Sequence, residues 1–566
     1  MKKKLMCFFL CASMLLSAMA SCQKNEEEEE AVADTEEAER VSMTLSLWIP
    51  TNEGTTEEAI EQVEAAINKV TQAKYDTAIE FHAIPRDEYQ DAVNAHIAEV
   101  EKNIADDEAE AESRKKAAKE LAEQNKGKTK KETETLAEET VPEKETYVNE
   151  LGVSLVKYPD VEDTQMDIFL VQGYDNYMEY IDNEQILQLD EELNSTFKVL
   201  KSYIFEKYFE FLREDGIYAI PNNHPVGQYD YILLNKELVD TYDYDPARLK
   251  SFLTCQDFIN DMAYQQKNGA EALKDVTLVL GPVEAANMNY WSVDGEWSLI
   301  ASQITNAANY DTKLAPKSLL SLSAYTKTVA LMKEMTEKGW VGDGIVDEGE
   351  KFAVGVMSGD ASIKAQYEDE YYVNIFGNPV MNEDDIFGSM FAVSAYTKSL
   401  PRSMEIITLL NTNTELRTIL QYGAEDVHWE YDRENPDIIN VISDDYSMNI
   451  NETGNVYMTY PAAGVPMSDW DYGKQQNRDC ITSPYIKFST DYITDENREK
   501  MEALAELSAE YKARIDAMSA AEFNEQLDVM KEEIKANELV QELLDDKEVT
   551  YSPAYLYNEF YADNYE

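Results

Sequence analysis

Asp215-Gly-Ile-Tyr-Ala-Ile-Pro221-Asn-Asn-His-Pro225-Val-Gly-Gln-Tyr229-Asp-Tyr-Ile-Leu-Leu-Asn235-Lys-Glu-Leu238 is the stretch on which the rest of the chain depends. It holds two runs with strand character, Ile217–Ile220 and Tyr229–Asn235, with Pro221, Pro225 and Gly227 between them. In the second run Tyr229, Tyr231 and Leu233 fall on one face and Asp230, Ile232 and Leu234 on the other. Both faces are largely apolar, the pattern of a strand covered on both sides. Proline cannot donate to a sheet ladder and glycine bends freely, so the segment between the runs is a crossing and not sheet interior. Taken alone, the pair also fits an ordinary α/β enzyme.

Upstream, Met43–Pro50 alternates as a strand, and Thr55-Thr56-Glu57-Glu58 reads as a capping box before a helix striped by Ile60, Val63, Ala66, Ile67 and Val70. Ala78–Ile84 is a second strand and Tyr89–Val100 begins another helix. This β-α-β opening predicts a parallel sheet whose ligand loops follow the strand ends. Trp48–Gly54 is one such loop. Gln172-Gly173-Tyr174, after the apolar strand Met166–Val171, is a second. From Glu101 to Thr146 the chain is charge-rich and has no aromatic residue, which predicts an inserted long solvated helix or helical hairpin, partly disordered. Downstream of the crossing come strands Val276–Leu280 and Phe352–Met357, then a return strand at Phe387–Ser394. Two amphipathic helices, Asp495–Met518 and Ala520–Leu544, are expected to pack on the body of the protein and not on a partner.

With 566 residues, 44% of them hydrophobic, the chain can bury several cores. The formal net charge is −62, from 49 basic and 111 acidic residues. Binding to a phosphate backbone needs basic patches, so nucleic acid is excluded as a partner class. Lys2, Lys3 and Lys4, the apolar run Leu5–Ala20 and Met19-Ala20-Ser21-Cys22 form a secretory signal over residues 1–21. Residues 22–40 form an acidic tether that like charges extend. Cys7 and Cys11 leave with the signal. Cys255 and Cys480 stay in the body, where both a disulfide and two buried thiols are open to them.

Several of these segments resemble the extracellular solute-binding proteins of ABC importers, of the carbohydrate type and of the large variety found in Gram-positive gut bacteria. Met19-Ala20-Ser21-Cys22 resembles a lipobox, which implies cleavage before Cys22 and lipid on it. Asp215–Leu238 resembles the family's crossover between lobes, and Ser358-Gly359-Asp360 its small-residue turn at the cleft. Gln421-Tyr-Gly-Ala-Glu-Asp-Val-His-Trp-Glu-Tyr431 resembles its "Tyr-Gly … Val-His-Tyr/Trp-Glu" segment. The resemblance spans roughly residues 41–85 and 147–488. It implies an α/β, two-lobe periplasmic-binding-protein-like fold with a three-segment hinge and a cleft between the lobes. Lobe I would be 41–225 plus 392–450, with the charged insertion 101–146, and lobe II 226–391 plus 451–566. It also implies a monomer, lipid-anchored to the outer face of the bacterial cytoplasmic membrane, that captures a small solute and passes it to membrane permease subunits.

No phosphate loop, Gly-x-Ser-x-Gly elbow, His-Glu-x-x-His or EF-hand pattern is present, and His82, His96, His224 and His428 have no metal spacing. No cofactor, metal or catalytic residue is therefore expected. Sugar rings offer apolar C–H faces to aromatic side chains and hydroxyls to polar ones. The candidate ligand residues are Trp48, Glu53, Gln172, Tyr174, Asn222, Asn223, Tyr229, Tyr290, Trp291, Trp297, His428 and Trp429. Competing roles are packing for the tryptophans, helix-start electrostatics for Glu53, turn formation for Asn222 and Asn223, and a buried structural corner for His428 and Trp429. An oligosaccharide is the expected solute. Two rivals stand beside this reading: a surface glycoside hydrolase using two carboxylates, and an adhesive lipoprotein acting through residues 101–146.

Overall fold

Nine strands form two central sheets in the computed structural model, which describes residues 40–124, 146–148, 154–213, 215–281, 290–292, 297–303, 317–342, 346, 350–463, 470–482 and 495–545. The signal segment, Cys22, the tether to residue 39, residues 125–145 of the charged insertion and the Tyr-rich end lie outside the described residues. The nine are β1 Met43–Thr51, β2 Thr77–Pro85, β3 Ile168–Val171, β4 Ala219–Pro221, β5 Tyr229–Asn235, β6 Thr277–Leu280, β7 Phe352–Gly359, β8 Tyr371–Gly377 and β9 Met390–Val393.

The first sheet has the order β2-β1-β3-β9-β4. β1 runs parallel to both β2 and β3, while β9 is antiparallel to β3 and β4. Parallel strands deliver their following loops to one edge, so the turns after β1, β2 and β3 emerge together. The expected helix is Glu57–Tyr75, and its cap is Thr56, whose side chain accepts from the Ala59 N–H. Its stripe buries Val63, Ile67 and Val70 in the core of Leu45, Leu47, Ile49, Phe169 and Phe391. The next helix, Arg86–Gln124, is 39 residues long. It buries Tyr89, Val93, Ile97 and Val100 in that core, then continues without a break into the charged segment, where the side chains of residues 105–113 are exposed.

The second sheet has the order β8-β5-β7-β6, with β5 antiparallel to β7 and β8, and β7 parallel to β6. Ile232 and Leu234 of β5 join Phe258, Val354 and Val356 in one core, while Tyr231 and Leu233 enter another cluster with Phe352 and Tyr371. Both faces of β5 are covered, as its apolar pattern required. The C-terminal helices Asp495–Ala517, Ala520–Ala536 and Glu538–Asp545 pack on Leu299, Leu319 and Leu320. The helix Ser323–Glu337 ties that cluster to the second sheet by placing Tyr325 in one and Leu331 and Met335 in the other. Ser519 and Glu522 form the reciprocal capping box that starts Ala520–Ala536.

The segments linking the sheets are knitted to each other. Gly227 has φ 58°, and a Cβ there would lie 2.6 Å from the Val380 carbonyl oxygen, so only glycine fits. Val380 and Met381 in turn pair with Ile481 and Thr482. Helix Trp470–Asp479 donates from Asn477 to the His224 carbonyl and from Gln476 to the Val226 and Gly227 carbonyls. Two segments placed on lobe II by sequence sit on the first sheet. Met381, Ile386, Phe387 and Met390 belong to its core, because β9 starts at Met390 and Phe387 packs on Tyr174. Asn455 donates to the Tyr203 and Asn411 carbonyls. Cys255 and Cys480 are free thiols buried in different cores, so no bridge joins them.

Candidate functional site at the carboxyl ends of the first sheet

β1 ends at Thr51 and is followed by Asn52, β2 ends at Pro85 and is followed by Arg86, and β3 ends at Val171 and is followed by Gln172. These three side chains meet over Glu452. Arg86 Nη1 and Nη2 donate to Glu452 Oε1 and Oε2, each at 2.6 Å, a bidentate fork. Gln172 Nε2 and Asn449 Nδ2 each donate to Glu452 Oε1 at 3.2 Å, and Arg86 Nη2 also reaches Asn52 Oδ1 at 3.3 Å. The Arg86 side chain is 40% exposed and that of Glu452 only 8%. The hydrogen bonds to Glu452 hold the guanidinium pKa above its ordinary value.

The turn that presents Glu452 is fixed from behind. Gln421 Nε2 donates to the Met448 carbonyl at 2.9 Å, and Arg417 Nη2 to the Ile450 carbonyl at 2.7 Å. Thr453 Oγ1 donates to Gln421 Oε1 at 2.6 Å. Gly454 has φ 106°, and a Cβ there would lie 2.4 Å from the Leu410 carbonyl oxygen. Arg417 is wholly buried, and burial pulls its pKa down to about 9.

Of the sequence candidates, Gln172 joins this cluster, and Glu53 is exposed in the turn after β1. Trp48 is buried between His82 and His96, its ring centroid 4.0 and 4.6 Å from theirs. Tyr174 is buried against Phe387. Asn222, Asn223 and Tyr229 lie in and after the first crossing, where they serve it. Asn222 Nδ2 donates to Ser389 Oγ, Asn223 Nδ2 to the Tyr203 carbonyl, and Tyr229 Oη to Asp479 Oδ2 at 2.7 Å. Trp297 is half-buried and donates to Tyr325 Oη in the C-terminal helical cluster. Tyr290 and Trp291 are in a strand, Tyr290–Ser292, paired with Ile300–Gln303, and their side chains lie outside the described set.

His428 and Trp429 form a closed corner. His428 Nδ1 accepts from the Ala424 N–H at 2.9 Å, which leaves the proton on Nε2, 3.6 Å from Asp445 Oδ1. Trp429 Nε1 donates to the Gly423 carbonyl at 2.8 Å. Gly423 has φ 92° and lies so close that a Cβ would fall 2.6 Å from the His428 ring. Asn52, Arg86, Asn449 and Glu452 escaped the sequence reading; the one signal was that Asn52 and Arg86 directly follow strands. Trp470 also escaped it: it is half-buried at the start of its helix, donates to the Thr459 carbonyl at 2.9 Å and meets the Tyr457 ring edge-on.

Among the described residues no group of His, Cys, Asp or Glu side chains is placed to hold a metal, and no helix is long and apolar enough to cross a membrane.

No family model matches the sequence. The chain is 26% identical over 165 residues, 28% of its length, to a carbohydrate ABC transporter substrate-binding protein of Streptococcus pneumoniae serotype 4. That alignment spans about a third, 33%, of the relative. The N-glycan transport solute binding protein (NgtS) of Streptococcus pneumoniae superposes with a TM-score of 0.56 at 14% identity, over 93% of this chain and 100% of that one. The chain therefore has the two-lobe α/β fold of that solute-binding protein.

Proposed function

We propose that this protein is an extracytoplasmic solute-binding lipoprotein that captures an oligosaccharide and delivers it to an ABC-type permease. The observation that carries this reading is the row of hydrogen-bonding side chains at the carboxyl ends of β1, β2 and β3, beside a crossing to the second sheet. In open α/β sheets that edge is where ligands bind, and amide and guanidinium donors there suit sugar hydroxyls. A ligand touching both sheets would favour the closed arrangement of the two lobes, the state that a permease would receive. The names of the S. pneumoniae relatives support carbohydrate as the solute class. Binding without turnover, a monomeric state and attachment through lipid on Cys22 complete the proposal.

The test is a thermal-shift screen against neutral oligosaccharides, amino sugars and short peptides. A ligand at a hundred times its dissociation constant adds about 2.7 kcal/mol of stability, a large shift in unfolding temperature. A sugar hit recovered chemically intact after long incubation is the expected result. A hit that is consumed makes the protein a glycosidase, and a screen in which no sugar shifts the transition overturns the reading.

A further inference from the structure

An exposed arginine at a ligand-binding edge is the usual means of gripping a carboxylate, sulfate or phosphate, through two parallel N–H donors. In this protein both outer nitrogens of Arg86 are already taken by the two oxygens of Glu452. Glu452 is nearly buried, accepts further bonds from Gln172 and Asn449, and belongs to a turn held by Gln421, Thr453 and the buried Arg417. It is not a mobile surface carboxylate that a ligand could push aside. We infer that Glu452 is a built-in counter-ion that closes the Arg86 fork to anions and makes the site selective for neutral, hydroxyl-bearing glycans.

The two charges cancel at the site, while Nε–H and the second Nη1 hydrogen of Arg86, bonded to neither Glu452 nor Asn52, can meet neutral oxygen acceptors. An acidic sugar would find no uncompensated cation in the fork, and it would approach a chain whose formal net charge is −62. Acidic groups are thereby rejected in two ways: by the occupied fork at contact and by the overall field at a distance. Only the second is weakened by salt. This inference rests on the proposal that the strand-end cluster holds a glycan.

The test measures affinity for matched probes in the wild type, in Glu452→Gln and in the double variant Glu452→Gln/Arg86→Gln. Neutral probes are mannose–N-acetylglucosamine glycans, fructo-oligosaccharides and lactose-based milk oligosaccharides; acidic probes are sialyllactose and oligogalacturonate. The wild type should bind a neutral probe and refuse the acidic ones at both low and high salt. Glu452→Gln is isosteric and frees the guanidinium, so it should raise affinity for an acidic probe by about tenfold or more, and the double variant should lose that gain. Acidic probes binding the wild type as well as neutral ones, or a Glu452→Gln variant with unchanged preference, overturns the inference and leaves glycan binding standing. A wild type that binds none of the probes overturns the glycan reading itself. Should Glu452→Gln not fold, the salt arm decides alone: acidic probes that bind the wild type once salt is raised would mean the fork is not closed.

Discussion

The corner at residues 421–431 and the strand-end cluster around Arg86 are built from opposite kinds of sequence. In the corner, Gly423, Ala424, His428 and Trp429 satisfy one another within a few residues, so the arrangement is written as one contiguous motif. In the cluster, Arg86 and Glu452 are 366 positions apart, and each looks like an ordinary surface charge until the chain folds. The conspicuous motif is a buried structural fastening, while the inconspicuous residues supply the exposed polar groups. Local contacts leave local sequence signatures; a polar cluster assembled from several strand ends leaves only the places that directly follow the strands.

That contrast can be broken experimentally. Trp429→Ala removes a buried ring and its bond to Gly423, and should cost about 3–5 kcal/mol in urea unfolding, while the protein that remains folded keeps its ligand affinity. A large affinity loss at unchanged stability would reverse the assignment of the two regions. Gln172→Ala should behave the other way, lowering affinity about tenfold while costing only about 1 kcal/mol of stability, for the lost bond to Glu452. Ligand titration and unfolding of the same preparation check both.

A smaller effect separates the regions by pH. Burial, with His96 nearby, lowers the His82 pKa to about 4, and burial also lowers that of His428. An unfolded histidine titrates near about 6.5. Between that pH and the folded value the unfolded chain binds the proton that the folded chain refuses. Stability from each group is therefore full above the unfolded pKa, lost as pH falls through the window, and level below the folded pKa. A fall from about 6.5 to about 4 bounds the loss at His82 at about 3 kcal/mol, less the solvent screening of its partly exposed ring. His82→Gln should flatten part of the slope, with Trp48 fluorescence as the reporter, since its ring stacks on His82. If the slope persists in His82→Gln and His428→Gln alike, neither histidine is its source.

The smallest effect belongs to the charged helix. Reversing Asp106, Asp107 and Glu108, all exposed, should move stability by less than about 0.5 kcal/mol and leave ligand affinity untouched. Loss of binding in that variant would favour the adhesive reading.

Much of the fold was legible. Apolar and alternating runs identified eight of the nine sheet strands and missed β8, Tyr371–Gly377, while Pro221, Pro225 and Gly227 marked the crossing, because backbone requirements and apolar periodicity are local facts. Of the candidate residues, Gln172 joins the strand-end cluster. Aromatic candidates such as Trp48 and Tyr174 were drawn to the core by the large apolar area they bury. Asn222, Asn223 and Tyr229 were drawn into the hydrogen bonds of the crossing. Phe387 and Asn455, read from the sequence as part of lobe II, pair with Tyr174 and with helix residues Tyr203 and Asn411, contacts between distant positions that no local pattern announces.

The helix Arg86–Gln124 begins with the residue that grips Glu452 and runs 39 residues, a rod about 58 Å long. Tilting such a rod by a single degree at the Arg86 end displaces its far end by about 1 Å, as a pointer magnifies the motion of its pivot. An adjustment of Arg86 too slight to notice at the site would thus register as a measurable swing of the exposed stretch 105–113, where a distance label can be attached without touching the machinery it reads.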